Sequence, residues 1–215
     1  MMSLGFWQAD RAEFKDTLQQ KIVERKKLSP LNLEELPDAS EERRYHPVKI
    51  IGEYDAQHSL LLDNITLDRR VGYHVFTPVK ISDSKNILVN RGFVAQGKTR
   101  AQLPEIDAPR GKIEIHGLLD LTPPRTLLLA ENAQETSSWP VVLQYIDLAE
   151  INQLLGYELY DMVLWLNPDE EGGFEYELPA LNLNAAKNSG YAFQWFAMSL
   201  ALLIIYLVVN TKRTV

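Results

Sequence analysis

Residues 191–209 read YAFQWFAMSLALLIIYLVV, an uninterrupted stretch of nineteen residues without a charged side chain. At about 1.5 Å per helical residue, this stretch covers roughly the 30 Å hydrocarbon core of a bilayer. Tyr191 and Trp195 stand near one end and Tyr206 near the other, as aromatic side chains do at both membrane interfaces. A buried helix of a soluble core is the alternative, but such a helix seldom lacks charge over its whole length. We therefore predict a transmembrane helix at about 191–209.

The basic residues that flank this stretch indicate its orientation. Lys212 and Arg213 follow it, whereas Lys187 is the single basic residue in the acidic segment before it. The positive-inside rule then places the C-terminal tail in the cytoplasm or matrix and the rest of the chain on the outer side. The sequence opens MMSLGFWQAD, without a signal peptide. We expect either the reverse orientation or a leading segment that this sequence does not include.

We divide the chain into an extramembrane domain, residues 1–186, and the membrane helix with its basic tail, residues 187–215. Hydrophobic residues make up 46% of the chain and charged residues 24%, so a core can be buried. The net charge of −7 argues against a nucleic-acid partner, since such proteins usually carry a basic surplus. The absence of cysteine excludes disulfides, thiolate metal sites and a cysteine nucleophile.

Within the extramembrane domain, one helix precedes a series of strands. Phe14, Leu18 and Ile22 recur at steps of four without an intervening Gly or Pro, which predicts a helix over 8–28. Alternating or β-branched stretches predict seven strands, at 45–54, 60–66, 71–81, 87–94, 112–120, 141–148 and 162–166. Short turns separate several of them, which favours antiparallel pairing. A short helix is predicted at 148–156, ended by a glycine.

The expected fold class is therefore mainly β (α+β). It consists of an antiparallel, barrel-like sheet with an N-terminal helix, followed by a C-terminal transmembrane helix. A closed barrel is favoured because closure removes the exposed edges of a sheet.

Catalytic and metal-binding signatures are absent from the sequence. Its four histidines lie more than four residues apart, so no local zinc motif is present: His46, His58, His74 and His116. The sequence has no nucleophile elbow, P-loop or dinucleotide-binding motif. We predict that the protein is not an enzyme. A hydrolase built from dispersed residues is the alternative.

Arg91 is the most informative polar residue of the predicted strands. It lies in LVNRGFV and points to the same side as Val89 and Phe93. A guanidinium among apolar neighbours is costly unless it is paired. Two interpretations stay open: a structural arginine bound to backbone carbonyls or a nearby carboxylate, and one that contacts a carboxylate of a ligand or partner. Gly92 permits a bulge or a close backbone approach beside it.

Four segments in this order resemble the surfeit locus protein 1 family, assembly factors for cytochrome c oxidase and related haem–copper oxidases. They are LGFWQADRAEFK from residue 4, GYHVFTP from residue 72, LVNRGFV from residue 88 and YAFQWF from residue 191. The resemblance implies a β-rich domain between two transmembrane helices, facing the periplasm or the intermembrane space. It also implies that the first family helix ends just before Leu4, which would supply the missing export signal.

The function implied by the resemblance is a membrane-anchored assembly factor that assists haem a insertion into, or maturation of, oxidase subunit I. The implied ligand is haem a, bound transiently. The implied partners are subunit I, haem a synthesis proteins and the lipid bilayer of a bacterial or mitochondrial inner membrane. Arg91 would contact a haem propionate, and Tyr191 and Trp195 would contact haem or the subunit.

The chain departs from the family at one position that bears on haem. Many members carry a histidine, proposed as an axial haem ligand, where this chain has Asn188. An amide is a poor ligand for haem iron, so the departure favours a scaffold role, with Tyr191 and Met198 as substitute ligands in principle. The alternative function is a membrane-tethered β-barrel module that binds a lipid or a peptide without haem contact.

Overall fold

The computed structural model describes residues 1–99, 102–123, 138–175 and 183–211. The chain divides into two compact units, Met1–Glu24 with Pro179–Val215 and Arg25–Leu178. The helices are α1 (Met2–Arg25), α2 (Ser40–Arg43), α3 (Leu148–Leu155) and α4 (Ala185–Thr211). The strands are β1 (Pro47–Tyr54), β2 (Leu60–Leu67), β3 (Arg70–Lys80), β4 (Asn86–Ala95), β5 (Lys112–Asp120), β6 (Val141–Leu143) and β7 (Leu159–Leu166).

The strands of the Arg25–Leu178 unit close into a barrel. Their order is β1-β5-β7-β4-β3-β2-β6, and β3 also pairs with β1, at Glu53 with Lys80 and Tyr54 with Val79. The strands β1, β5, β7, β4 and β3 therefore form a closed ring, and β2 and β6 extend the sheet beyond it. The predicted fold class, a barrel-like sheet with an N-terminal and a C-terminal helix, is confirmed.

The sheet is mixed rather than wholly antiparallel. β4 pairs with β7 in parallel, and so does β2 with β6, whereas the other pairs are antiparallel. The short turns between successive strands predict only the pairing of neighbours in the sequence. β7 reaches β4 after α3, and such a long connection permits a parallel partner.

Element boundaries follow local signals where these exist. The strand predicted at 112–120 has those limits. α3 ends as predicted, because Gly156 adopts a left-handed conformation with φ of 76°. The helix predicted over 8–28 instead spans Met2–Arg25. Its earlier start has a tertiary cause, since Gly5 and Phe6 pack against Phe196 of α4.

The interior of the barrel is filled by alternate side chains of its strands. In β1, buried and exposed positions alternate along most of the strand, as a half-buried strand requires. The core consists of aliphatic residues with one methionine and one tyrosine: Val48, Ile50, Tyr54, Val79, Ile87, Val89, Ile115, Leu119, Met162, Leu164 and Leu166. This barrel supplies the rigid frame on which Arg91 is placed.

The other unit is an antiparallel pair of helices. Phe6 of α1 meets Phe196 of α4 edge-on, with 5.2 Å between ring centroids, whereas Lys15 meets Asn188. A later residue of α1 therefore contacts an earlier residue of α4, which shows that the two helices run antiparallel. Among the described residues, α4 is the one helix long and apolar enough to cross a membrane. The predicted stretch 191–209 lies within it, and Lys212 and Arg213 lie outside the described residues.

Candidate functional site

The first candidate site surrounds Arg91 in the barrel unit. Arg91 belongs to β4, which is buried along most of its length, and only 1% of the residue is accessible to solvent. We call this site the Arg91 cluster; it consists of Arg91 and the residues that contact its guanidinium, Tyr54, Thr77, Asp107, Gly172 and Phe174. The cluster joins β1, β3 and β4 to two segments outside the strands.

Every nitrogen of the Arg91 guanidinium has an acceptor in the protein. Nε donates to the carbonyl oxygen of Gly172 at 2.7 Å, and Nη1 donates to Oγ1 of Thr77 at 3.3 Å. Nη2 donates to the carbonyl oxygen of Asp107. Cζ of Arg91 lies 5.2 Å from the ring centroid of Tyr54 and 4.8 Å from that of Phe174, within the range of cation–π attraction. None of the three hydrogen-bond acceptors of the buried guanidinium is a carboxylate.

These contacts match the structural interpretation of Arg91. The guanidinium fastens the segments around Asp107 and Gly172 to the barrel through their carbonyls. Burial lowers the pKa of Arg91, opposed by Tyr54 and Asp107. A haem propionate would have to replace acceptors that the guanidinium already has. Contact between Arg91 and haem stays a prediction.

Asn90 and Gly92 shape the backbone on either side of Arg91. Gly92 has a φ of 109° and lies at a break in register between β3 and β4. A Cβ at Gly92 would lie 2.5 Å from the carbonyl oxygen of Glu175, so the chain approaches too closely for any larger residue. The amide N–H of Gly92 donates a hydrogen bond to Oδ1 of Asn90 at 2.9 Å. The N-R-G sequence therefore builds a bulge beside the buried charge.

Asn90 also connects the cluster to a buried histidine. Its Nδ2 lies 3.3 Å from Nδ1 of His74 and donates to that nitrogen when the neutral imidazole carries its proton on Nε2. The Trp165 ring meets His74 edge-on, with 5.7 Å between centroids. Burial lowers the pKa of His74 to about 4, so the imidazole is neutral at pH 7.

The second candidate site lies in the helix pair, at Asn188. Nζ of Lys15 donates to Oδ1 of Asn188 at 2.8 Å, and Nδ2 of Asn188 donates to Oε1 of Gln8 at 2.6 Å. Both ends of the amide therefore hold α1 beside α4. Gly5 supports the same approach, since a Cβ there would lie 2.7 Å from the Phe196 ring.

The donors of the helix pair do not fit axial haem ligation at position 188. An amide is a poor ligand for haem iron, and that of Asn188 is engaged by Lys15 and Gln8. Within the part of the chain that the structure describes, no group of His, Asp or Glu is arranged to hold a metal ion.

The three predicted contact residues fall in different units. Tyr191 and Trp195 stand four residues apart on one face of α4, where Tyr191 is exposed and Trp195 half-buried. Arg91 lies in the barrel unit. No pattern in the sequence points to the acceptors of Arg91, of which two are main-chain carbonyls and the third is the Thr77 hydroxyl. A signal for the α1 contacts did exist, because Gln8 and Lys15 are seven residues apart and share a helix face.

Replacing Arg91 by lysine is expected to lower the free energy of unfolding of the barrel by about 2 kcal/mol. An ammonium keeps the charge but cannot reach the same acceptors with the same geometry. Urea titration followed by tryptophan fluorescence measures the change. Arg70→Lys is the matched control, because Arg70 forms an exposed ion pair with Glu175. Equal stability of Arg91→Lys and wild type would contradict the bracing role.

His74 is expected to make the protein less stable as the pH falls from about 6.5 to about 4. The unfolded chain takes up a proton near pH 6.5, whereas burial lowers the pKa of His74 in the folded state to about 4. Full stability is therefore present above pH 6.5, and the loss reaches about 3 kcal/mol near pH 4. Subtracting the stability profile of His74→Gln isolates this contribution, and His46→Gln is the control. If the free energy of unfolding depends on pH in the same way in His74→Gln as in wild type, the contribution of His74 is refuted.

Comparison with known proteins places the chain among recognised relatives. It is 29% identical to Surfeit locus protein 1 of Mus musculus over 168 residues, which cover 71% of this chain and 54% of that protein. It is 30% identical to Surfeit locus protein 1 of Xenopus tropicalis over 172 residues, 73% of this chain and 55% of that protein. The chain thus spans about half the length of these vertebrate relatives.

A bacterial relative is matched over nearly its full length. The chain is 26% identical to the SURF1-like protein of Rickettsia conorii over 218 residues, which cover 99% of this chain and 87% of that protein. The family match extends over residues 1–200, and so includes α1, the barrel and the first part of α4. The chain therefore belongs to the SURF1 family.

Proposed function

We propose that this protein is a membrane-anchored assembly factor for cytochrome c oxidase, a haem–copper oxidase. It assists haem a insertion into subunit I or the maturation of that subunit, without catalytic turnover. The observation that carries the proposal is the family match over residues 1–200. The partners are oxidase subunit I and haem a synthesis proteins.

The proposed location is the inner membrane of a bacterium or mitochondrion. α4 is the anchor, because its length and composition suit a bilayer. The barrel unit faces the periplasm or the intermembrane space, and the C-terminus lies inside. The basic residues Lys212 and Arg213 support this orientation.

The helix pair and the barrel have separate tasks in this proposal. Tyr191 and Trp195 lie at the beginning of the apolar stretch of α4, where they can contact subunit I or haem near the membrane surface. Asn188 holds the two helices together instead of binding iron. The Arg91 cluster keeps the segments around Asp107 and Gly172 on the barrel. The protein then acts as a scaffold for the maturing subunit.

A second candidate function is a membrane-tethered module that binds a lipid or a peptide without haem contact. The engaged amide of Asn188 favours it, because the position at which many family members carry histidine offers no free ligand here. The visible absorption spectrum separates the two candidates. Protein purified from cells that synthesise haem a would carry haem bands if haem contact occurs, and none if it does not.

Deletion of the gene is expected to lower cytochrome c oxidase activity while the transcripts of the oxidase subunits persist. Wild-type protein restores the activity. A variant in which Tyr191 and Trp195 are both replaced by alanine is expected to restore only part of the activity, since it lacks both of the proposed contact side chains on one face of α4. Phe193→Ala is the matched control, because Phe193 is 74% exposed and lies on another face.

Oxidase activity in membranes and spectroscopic oxidase content are the measurements. Normal oxidase content in the deletion strain would contradict the assembly function. Full restoration by the Tyr191 and Trp195 double variant would remove these two residues from the proposal and leave the family assignment untouched.

A further inference from the structure

One face of α1 carries exposed apolar side chains around a single cation. Leu4, Trp7 and Phe14 are 44%, 57% and 56% exposed, and with Arg11 they follow one another at steps of three, four and three residues. Such steps keep them on one face of the helix. We call these four residues the outer stripe of α1. At about 100° per residue, the stripe lies roughly a third of a turn from Gly5, which packs on α4.

Arg11 has no acidic partner within reach on its own helix. The residues three and four positions away are Trp7, Gln8, Phe14 and Lys15. Its guanidinium lies over the Phe14 ring, with Cζ 5.4 Å from the centroid, and no ion pair among the described residues includes it. A guanidinium offers paired donors that suit the oxygens of a phosphate. The charge complement of the stripe is therefore an anion.

The register of the helix pair gives the depth of Arg11. Gly5 is level with Phe196, and Lys15 is level with Asn188. Arg11 follows Gly5 by six residues and precedes Lys15 by four, so it is level with about residues 190–192 of α4. The apolar stretch of α4 begins at residue 191. With α4 in the bilayer, Arg11 lies where the hydrocarbon meets the phosphate groups.

The rest of the helix pair suits the hydrocarbon side of that boundary. The residues of α1 before Asp10 carry no charged side chain. The first turn of α1 lies beside an open groove lined mainly by apolar residues of both helices: Met1, Met2, Leu202, Leu203, Ile205 and Val209. Trp7 stands between this region and Arg11, at the depth where tryptophan is enriched in membrane proteins.

From this juxtaposition we infer that the outer stripe of α1 binds a phospholipid, with Arg11 on its phosphate group, Trp7 beside the glycerol and upper acyl chains, and Phe14 on the headgroup side of Arg11. The contact fixes the depth of the helix pair at the outer membrane surface. This inference rests on the membrane anchoring included in the proposed function. A phosphate is favoured over a protein carboxylate because Arg11 lies at the membrane boundary, where lipid phosphates are abundant.

The test uses the full chain reconstituted in nanodiscs of phosphatidylcholine and phosphatidylglycerol. Native mass spectrometry counts the phospholipids retained after gentle release from the disc and measures their affinity. Arg11→Gln is expected to bind phospholipid about tenfold more weakly, because it loses a charge-assisted hydrogen bond to the lipid phosphate. Lys27→Gln removes the same charge from an exposed position beyond α1 and is expected to retain lipid as wild type does.

Each other outcome overturns the inference. Equal lipid affinity of Arg11→Gln and wild type would show that Arg11 holds no phosphate, and an equal loss in Lys27→Gln would show only an effect of net charge. Arg11→Gln that keeps lipid but loses a co-purified oxidase subunit would assign the stripe to a protein carboxylate. Vesicle flotation separates this inference from the proposed anchoring. Arg11→Gln must float as wild type does, whereas a wild type that fails to float would overturn both.

Discussion

The incompatibility of the α4 side chains with water is the constraint on which the helix pair depends. Phe193, Leu200 and Tyr206 are all more than half exposed on a helix without charge over nineteen residues. Each buried Å² of such surface stabilises by about 25 cal/mol, so a bilayer is the favourable environment. α1 has to match that environment over its first turns. Gly5 lets it approach α4, and Asn188 joins the helices where polar groups can meet water.

The barrel unit is organised around a different constraint, the burial of a charged side chain. Arg91 is compensated by main-chain carbonyls of Asp107 and Gly172 and by two aromatic rings. Because the acceptors belong to segments outside the strands, the same contacts that satisfy the charge also hold these segments on the barrel. Asn90 and Gly92 complete the arrangement by shaping the bulge. The short N-R-G sequence thus couples charge compensation to loop position.

Much of this architecture follows from local signals. A charge-free stretch predicts α4, and alternation predicts the strands, since both patterns depend on neighbouring residues. The closure of β3 on β1 and the parallel pairing of β4 with β7 depend on partners far along the chain. The same holds for Arg91, whose acceptor Gly172 is 81 residues away. The early start of α1 likewise comes from its contact with Phe196. Local sequence patterns therefore indicate the residue at the site, whereas its partners are brought to it only by the fold.

Cysteine labelling tests most directly whether α4 lies in lipid. The chain contains no cysteine, so Leu203→Cys and Lys187→Cys each introduce a single thiol. Membrane fragments open on both faces are treated with a water-soluble maleimide, with and without detergent. We predict that Lys187→Cys reacts in both conditions and that Leu203→Cys reacts only after detergent is added. Labelling of Leu203→Cys without detergent, to the same extent as Lys187→Cys, would contradict the membrane placement.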